Sequence, residues 1–134
     1  MRRLHTEFLI RASSDLAGEN ILGRFDEEQD SDNLLWTTGP EDMTVPAAAA
    51  ATQIQFPIGA TKLRFIAIMK VSALAGVNVI FNNPANDPIL VSPPTGTGME
   101  GQFFMTTNAT ALYVSNPSTT AEVSFSIMTG YAAT

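Results

Sequence analysis

The residues in this chain that could do chemistry are few, and most of them are carboxylates. In FDEEQDSDN, Asp26, Glu28, Asp30 and Asp32 recur at every second position. A loop that curls can aim such a set at one hard cation such as calcium, which takes about six to eight oxygens. The stretch departs from the EF-hand pattern, because no glycine stands sixth from Asp26 or Asp30. It reads equally as a solvated acidic loop or as a patch facing a basic partner surface. The single histidine, His5, lies near Glu7, but hydrolysis through it would need a nucleophile and an orienting acid that the sequence does not place. Paired carboxylates for glycoside hydrolysis would have to flank a cleft, whereas Asp87, Glu100 and Glu122 each fall in a turn or on the wet face of a strand. No catalytic residue and no cofactor is expected, and the acidic stretch supplies the only metal candidates.

A second chemical signature sits in PPTGTGMEGQFF, where Gly96, Gly98 and Gly101 have the spacing G-x-G-x-x-G. In a dinucleotide site those glycines follow a buried strand and open a helix, so that pyrophosphate meets free amide groups at the helix N-terminus. Here Pro93 and Pro94 precede them and QFFMTT follows, a run that favours a strand. No Lys-Ser or Lys-Thr pair follows either, which excludes a P-loop. The glycines are expected to supply the turn conformations that carry the chain from PILVS into QFFMTT.

Aromatic residues offer a binding surface. Trp36, Tyr113 and Tyr131 are candidates for an interface, for core packing or for a platform on which a sugar stacks, and Trp36, which follows two leucines, reads first as core. Asn108-Ala109-Thr110 matches the N-glycosylation sequon, which carries weight only in a secreted chain.

The 134 residues bound these readings to one domain. There is no cysteine, hence no disulfide, thiolate metal site or cysteine catalysis. The N-terminal stretch MRRLHTEFLIRASSD is interrupted by Glu7 and Arg11, which argues against a signal peptide. No apolar run approaches the roughly 18 residues that cross a bilayer, so a soluble protein without membrane contact is expected. Residues 1–44 carry ten acids and four bases, while residues 45–134 carry three of each, so the whole formal charge of −6 belongs to the first third. Exposed positions after Phe65 must be filled by Thr, Ser, Asn, Ala and Gly. Such a neutral polar surface suits a chain packed against copies of itself or a large partner, since ions are depleted from interface cores. It also excludes nucleic acid, for there is no basic stripe to displace counterions from phosphates.

The dominant hydrophobic period is two. In AEVSFSIM, residues Ala121, Val123, Phe125 and Ile127 point one way and Glu122, Ser124 and Ser126 the other. TQIQF places Ile54 and Phe56 inward, and VNVIFN does the same with Val77, Val79 and Phe81. Further strand candidates are HTEFLIRA, KLRFIAIMKV, PILVS, GQFFMTT and TALYVSN, with NILGRF and LLWTT weaker. The turn signals ALAG, NNPANDP, PPTGTG, TTNAT and NPSTT separate them. About eight short strands joined by such turns predict an all-β fold, an antiparallel β-sandwich of jelly-roll type. VPAAAAATQ has no large apolar residue to anchor a helix and reads as a loop or short helix crossing the sandwich edge. Residues 1–45 read as an acidic arm with one or two first strands, and residues 52–132 as the sandwich body.

The C-terminal half resembles the small β-structured virion proteins of tailed bacteriophages. The features that carry the likeness are TALYVSNPSTTAEVSFSI, two strands around an Asn-Pro-Ser-Thr-Thr turn, and the neutral Thr/Asn/Ala surface without cysteine. The resemblance covers some 60 residues and implies a capsid cement or decoration protein, or a small tail or fibre component that binds a host-surface glycan. It further implies a homo-oligomer, dimer or trimer, located in the virion after assembly in the host cytoplasm, with the major capsid protein or other virion proteins as partners.

Overall fold

Runs that alternate apolar and polar residues, rich in β-branched and aromatic types, bury one side only as extended backbone. The computed structural model accordingly contains ten strands and no helix among its described residues, which are 3–14, 18–30, 36–72, 75–93 and 101–133. The chain divides into two compact units, residues 1–32 and 33–134.

In the first unit, β1 (Arg3–Ser14) and β2 (Gly18–Asp30) pair antiparallel as a two-stranded sheet, with a register shift after Ile10. The second unit holds β3 (Trp36–Val45), β4 (Thr52–Ile54), β5 (Lys62–Val71), β6 (Val77–Phe81), β7 (Ile89–Val91), β8 (Gly101–Thr106), β9 (Leu112–Ser115) and β10 (Val123–Ala132). They form two antiparallel four-stranded sheets, ordered β3-β10-β5-β8 and β4-β9-β6-β7. Counted from β3, the first sheet contains the first, eighth, third and sixth strands, and the second contains the second, seventh, fourth and fifth. That is the order of a jelly roll, and the expected β-sandwich is present with its eight strands.

The core lies between the two sheets. Leu63, Ile66 and Ile68 of β5 and Val123, Phe125 and Ile127 of β10 meet Val77 and Val79 of β6 and Leu112 and Val114 of β9 in one buried cluster. The period-two expectation holds in these strands. Val123, Phe125 and Ile127 face the cluster, while Ile54, Phe56 and Phe81 pack against it from partly buried positions. VPAAAAATQ forms no helix: residues 46–51 are a turn and coil linking β3 to β4 across the two sheets, held where the Ala48 amide donates to the Ser118 carbonyl (2.7 Å).

One strand runs further than its sequence suggests. Trp36-Thr-Thr-Gly-Pro-Glu-Asp contains a turn-like Gly-Pro pair, yet β3 continues through it to Val45. Thr38 pairs with Thr129 and Glu41 with Ile127, so Gly39 and Pro40 together oppose the single residue Met128. This bulge at a sheet edge tolerates proline, whose missing amide has no ladder to complete. Gly39 has φ +95°, and a Cβ there would collide with the Ile127 carbonyl oxygen. The sandwich therefore takes in β3 and begins well before Thr52.

Candidate functional site

The residues singled out for chemistry do not converge. Asp26, Glu28 and Asp30 lie along β2, opposite Glu7, His5 and Arg3 of β1 respectively. Extended backbone advances about 6.5 Å for every two residues, so the three positions are strung out rather than curled around one ion. Asp32 lies outside the described residues. No group of three or more acids or histidines with metal-binding geometry occurs among the described residues. Asp87 is exposed in the β6–β7 connection and Glu122 is exposed just before β10. Glu100 lies outside the described residues, as do Gly96 and Gly98. Gly101 opens β8, so the glycine motif ends in a strand and joins β7 of one sheet to β8 of the other. The helix a dinucleotide site requires does not follow it.

The three aromatic candidates do not form a platform. Tyr131 is 1% exposed and belongs to the core, where its ring lies 4.8 Å from that of Phe56. Burial removes it as a surface residue. Trp36 stands opposite Tyr131 in the β3–β10 register and packs on the same cluster from a partly buried position. Tyr113 is on the other sheet, between the inward Leu112 and Val114, and is half-buried on the outer face. Asn108 of the sequon is exposed, and its Oδ1 accepts a hydrogen bond from the Arg64 guanidinium.

The structure brings together a different set of residues. A cleft of about 240 Å³ opens between the edge strands of the two sheets. Thr38 and Glu41 of β3 form one side, Ile54, Gln55, Phe56 and Pro57 the other, and Ile127, Thr129 and Tyr131 of β10 the floor. Its polar floor comes from one exception to the core pattern. Position 129 faces inward like 125 and 127 but is threonine, 3% exposed, with its hydroxyl 2.6 Å from that of Thr38. Glu41 has the inward register position opposite Ile127 but, at the sheet edge, is exposed. The bulge at Gly39–Pro40 lies between the two cleft residues of β3. Sequence reasoning missed this site because the weak strand candidate LLWTT stops at Thr38, before the Gly-Pro pair. Once β3 is allowed to pass through the bulge, the inward parity of Thr38 and Glu41 follows.

A second feature is the outer face of the β3-β10-β5-β8 sheet. Register places Met128, Ala67 and Phe104 in one row across three strands, alternating with the inward Ile127, Ile68 and Phe103. Phe65 lies opposite Gly130, where the missing side chain leaves room for a ring, and stacks on Phe104 at 6.2 Å. Met69 follows on the same side. These five side chains are apolar, and all but Phe65 are partly exposed. Hydroxyls border them on β10, where Ser126 donates to Asp42 (2.7 Å) and Ser124 meets Thr44 (3.0 Å).

Two asparagines pin the loops at opposite ends of the sandwich. Asn116 is 6% exposed, and its Nδ2 donates to the carbonyls of Ala121 (2.8 Å), Val45 (3.1 Å) and Pro46 (3.1 Å). Its Oδ1 accepts from the Ser118 amide at 2.9 Å. At the other end Asn82, with φ +68°, accepts from the Thr110 amide at 2.7 Å and the Thr110 hydroxyl at 3.2 Å. Both were legible as turn residues, but not as ties between distant loops.

No protein-family model, curated protein or solved structure matches this chain.

Proposed function

We propose that this chain is a non-enzymatic structural protein of a phage virion, a cement or decoration protein that stabilises the capsid by binding across coat subunits. The observation that carries the reading is the outer face of the β3-β10-β5-β8 sheet. Met128, Ala67, Phe104 and Met69, backed by the buried Phe65, form an apolar surface with one carboxylate, Asp42, at its β3 edge, so a partner can meet most of it without stripping water from ions. Two further apolar side chains are exposed elsewhere, Ile58 in the β4–β5 connection and Leu90, 55% exposed, on β7 of the other sheet. A cement protein works by adding many weak contacts in parallel across the joints of a shell, and a jelly roll with few charged side chains suits such contacts. Closed symmetry makes a dimer or trimer the economical unit, with the major capsid protein as partner and the virion as location.

Quantitative mass spectrometry of purified particles tests the reading, combined with particle survival under heat with and without the protein. Copy numbers comparable to those of the coat subunits, and fragile particles in its absence, are expected. A chain absent from particles and monomeric in solution would overturn it. A few copies confined to the tail would replace it with a tail or fibre role.

A further inference from the structure

We propose that the cleft between β3 and residues 54–57 binds one neutral sugar ring. The lining chemistry narrows the ligand class by exclusion. Among the described residues no lysine, arginine or histidine lines the cleft, so none of them neutralises a phosphate, sulfate or carboxylate. Among the described lining residues Glu41 is the one carboxylate, and it is exposed, which gives too few oxygens for a hard cation and only a solvent-screened partner for an ammonium group. A purely apolar ligand would cover the Glu41 carboxylate and the one hydroxyl proton that the Thr38–Thr129 pair leaves unused without satisfying them, which is costly.

What remains is a neutral molecule with hydroxyls on its rim and an apolar face, the description of a pyranose ring. Glu41 has two acceptor oxygens, a match for two adjacent hydroxyl donors. The Thr38–Thr129 pair uses one proton between its two oxygens, leaving one hydroxyl proton and further lone pairs for a ligand. Gln55 adds both a donor and an acceptor. Phe56, fixed against Tyr131 at an interplanar angle of 56°, supplies an apolar wall. The volume decides between one ring and a chain. At about 240 Å³ the cleft lies below the roughly 300–1,000 Å³ of drug-sized sites, so it takes a terminal or side-branch residue. A ligand this small binds in the millimolar range, and repeated copies of the chain on one assembly would raise that by avidity. The site does not rest on the virion reading, since a chain found in no particle would still carry it.

The test uses the full-length chain labelled with ¹⁵N and titrated with a panel of methyl glycosides covering gluco, galacto, manno and N-acetylamino configurations. Inorganic phosphate serves as the anionic control. Saturable amide shifts are expected for at least one glycoside at Thr38, Glu41, Gln55 and Thr129, with none of these shifts from phosphate. Glu41→Gln should weaken that glycoside roughly tenfold or more, and Gln55→Ala should weaken it less, both with an unchanged melting midpoint. The proposal is overturned by no saturable shift at the cleft for any glycoside, by shifts that phosphate reproduces, or by binding that both variants leave intact.

Discussion

The two units of this chain handle charge and burial in opposite ways. Residues 1–32 carry eight acids and four bases, whereas the much longer stretch 33–134 carries five and three. The first unit is a two-stranded sheet, a form that is marginal in water by itself. The second encloses the buried cluster between two sheets, and every residue of that cluster lies within 33–134. Burial of apolar area dominates folding free energy, so the sandwich needs little from charged groups and leaves its surface almost free of them. The net charge is concentrated in the unit whose described elements are a single pair of strands. Under the proposed docking role, folding and electrostatic steering of a partner would fall to different stretches of chain, and that division can be broken experimentally.

The largest effect is expected from separating the units. Residues 33–134 alone should unfold cooperatively, with a melting midpoint within a few degrees of the full chain. Residues 1–32 alone should lose their strand signal in far-ultraviolet circular dichroism. A sandwich that collapses without residues 1–32 would show that the two units share one stability.

Next comes the core. Leu112 is fully buried and touches both sheets' cluster. Leu112→Ala should cost about 2–5 kcal/mol, lowering the midpoint by roughly 10 °C or more for a unit of this size. Denaturant unfolding of the full chain measures it. A loss below about 1 kcal/mol would mean the sheets are less tightly packed than the buried cluster implies.

Smaller effects distinguish the two ends of the sandwich. Asn116→Ala leaves the carbonyls of Val45, Pro46 and Ala121 short of a donor in a buried setting, an expected loss of about 2–3 kcal/mol. Asn82→Ala acts at an exposed position where water replaces the lost bonds to Thr110. The positive φ of Asn82 still penalises alanine, for about 1 kcal/mol. Equal losses at the two sites would contradict the difference in burial that separates them.

These asparagines also mark how far the sequence could be read. Period-two runs such as VSFSI and NVIF identified the strands and their inward faces, because alternation is a local signal tied directly to the pleat. The end of TTNAT and the turn NPSTT were legible as turns from composition alone. What a turn asparagine holds is set by another loop: Asn116 reaches a strand end 71 residues away. No local pattern encodes that distance. The cleft was hidden for a related reason. Gly39–Pro40 has the composition of a turn, and only the pairing of β3 with β10 reveals it as a bulge that leaves Thr38 and Glu41 on the inner face. Aromatic identity by itself left interface and core open for Tyr131, and its burial places it in the core.

The smallest expected change in stability is the most informative about docking. Ile58 stands fully exposed in the turn where the Ala60 amide donates to the Pro57 carbonyl at 3.0 Å. It contributes nothing to the buried cluster, so Ile58→Ser should alter stability by less than about 0.5 kcal/mol. If the neutral sandwich is the docking unit, this substitution lowers particle occupancy, and occupancy changes little between low and high salt. If the acidic unit docks instead, Ile58→Ser leaves occupancy intact, while salt weakens it because exposed charges are screened within about 10 Å at 0.1 M. Occupancy measured on particles for both chains at two ionic strengths separates these outcomes. The assignment of folding to one unit and steering to the other requires the first result for bound particles, with salt acting chiefly on the rate of binding.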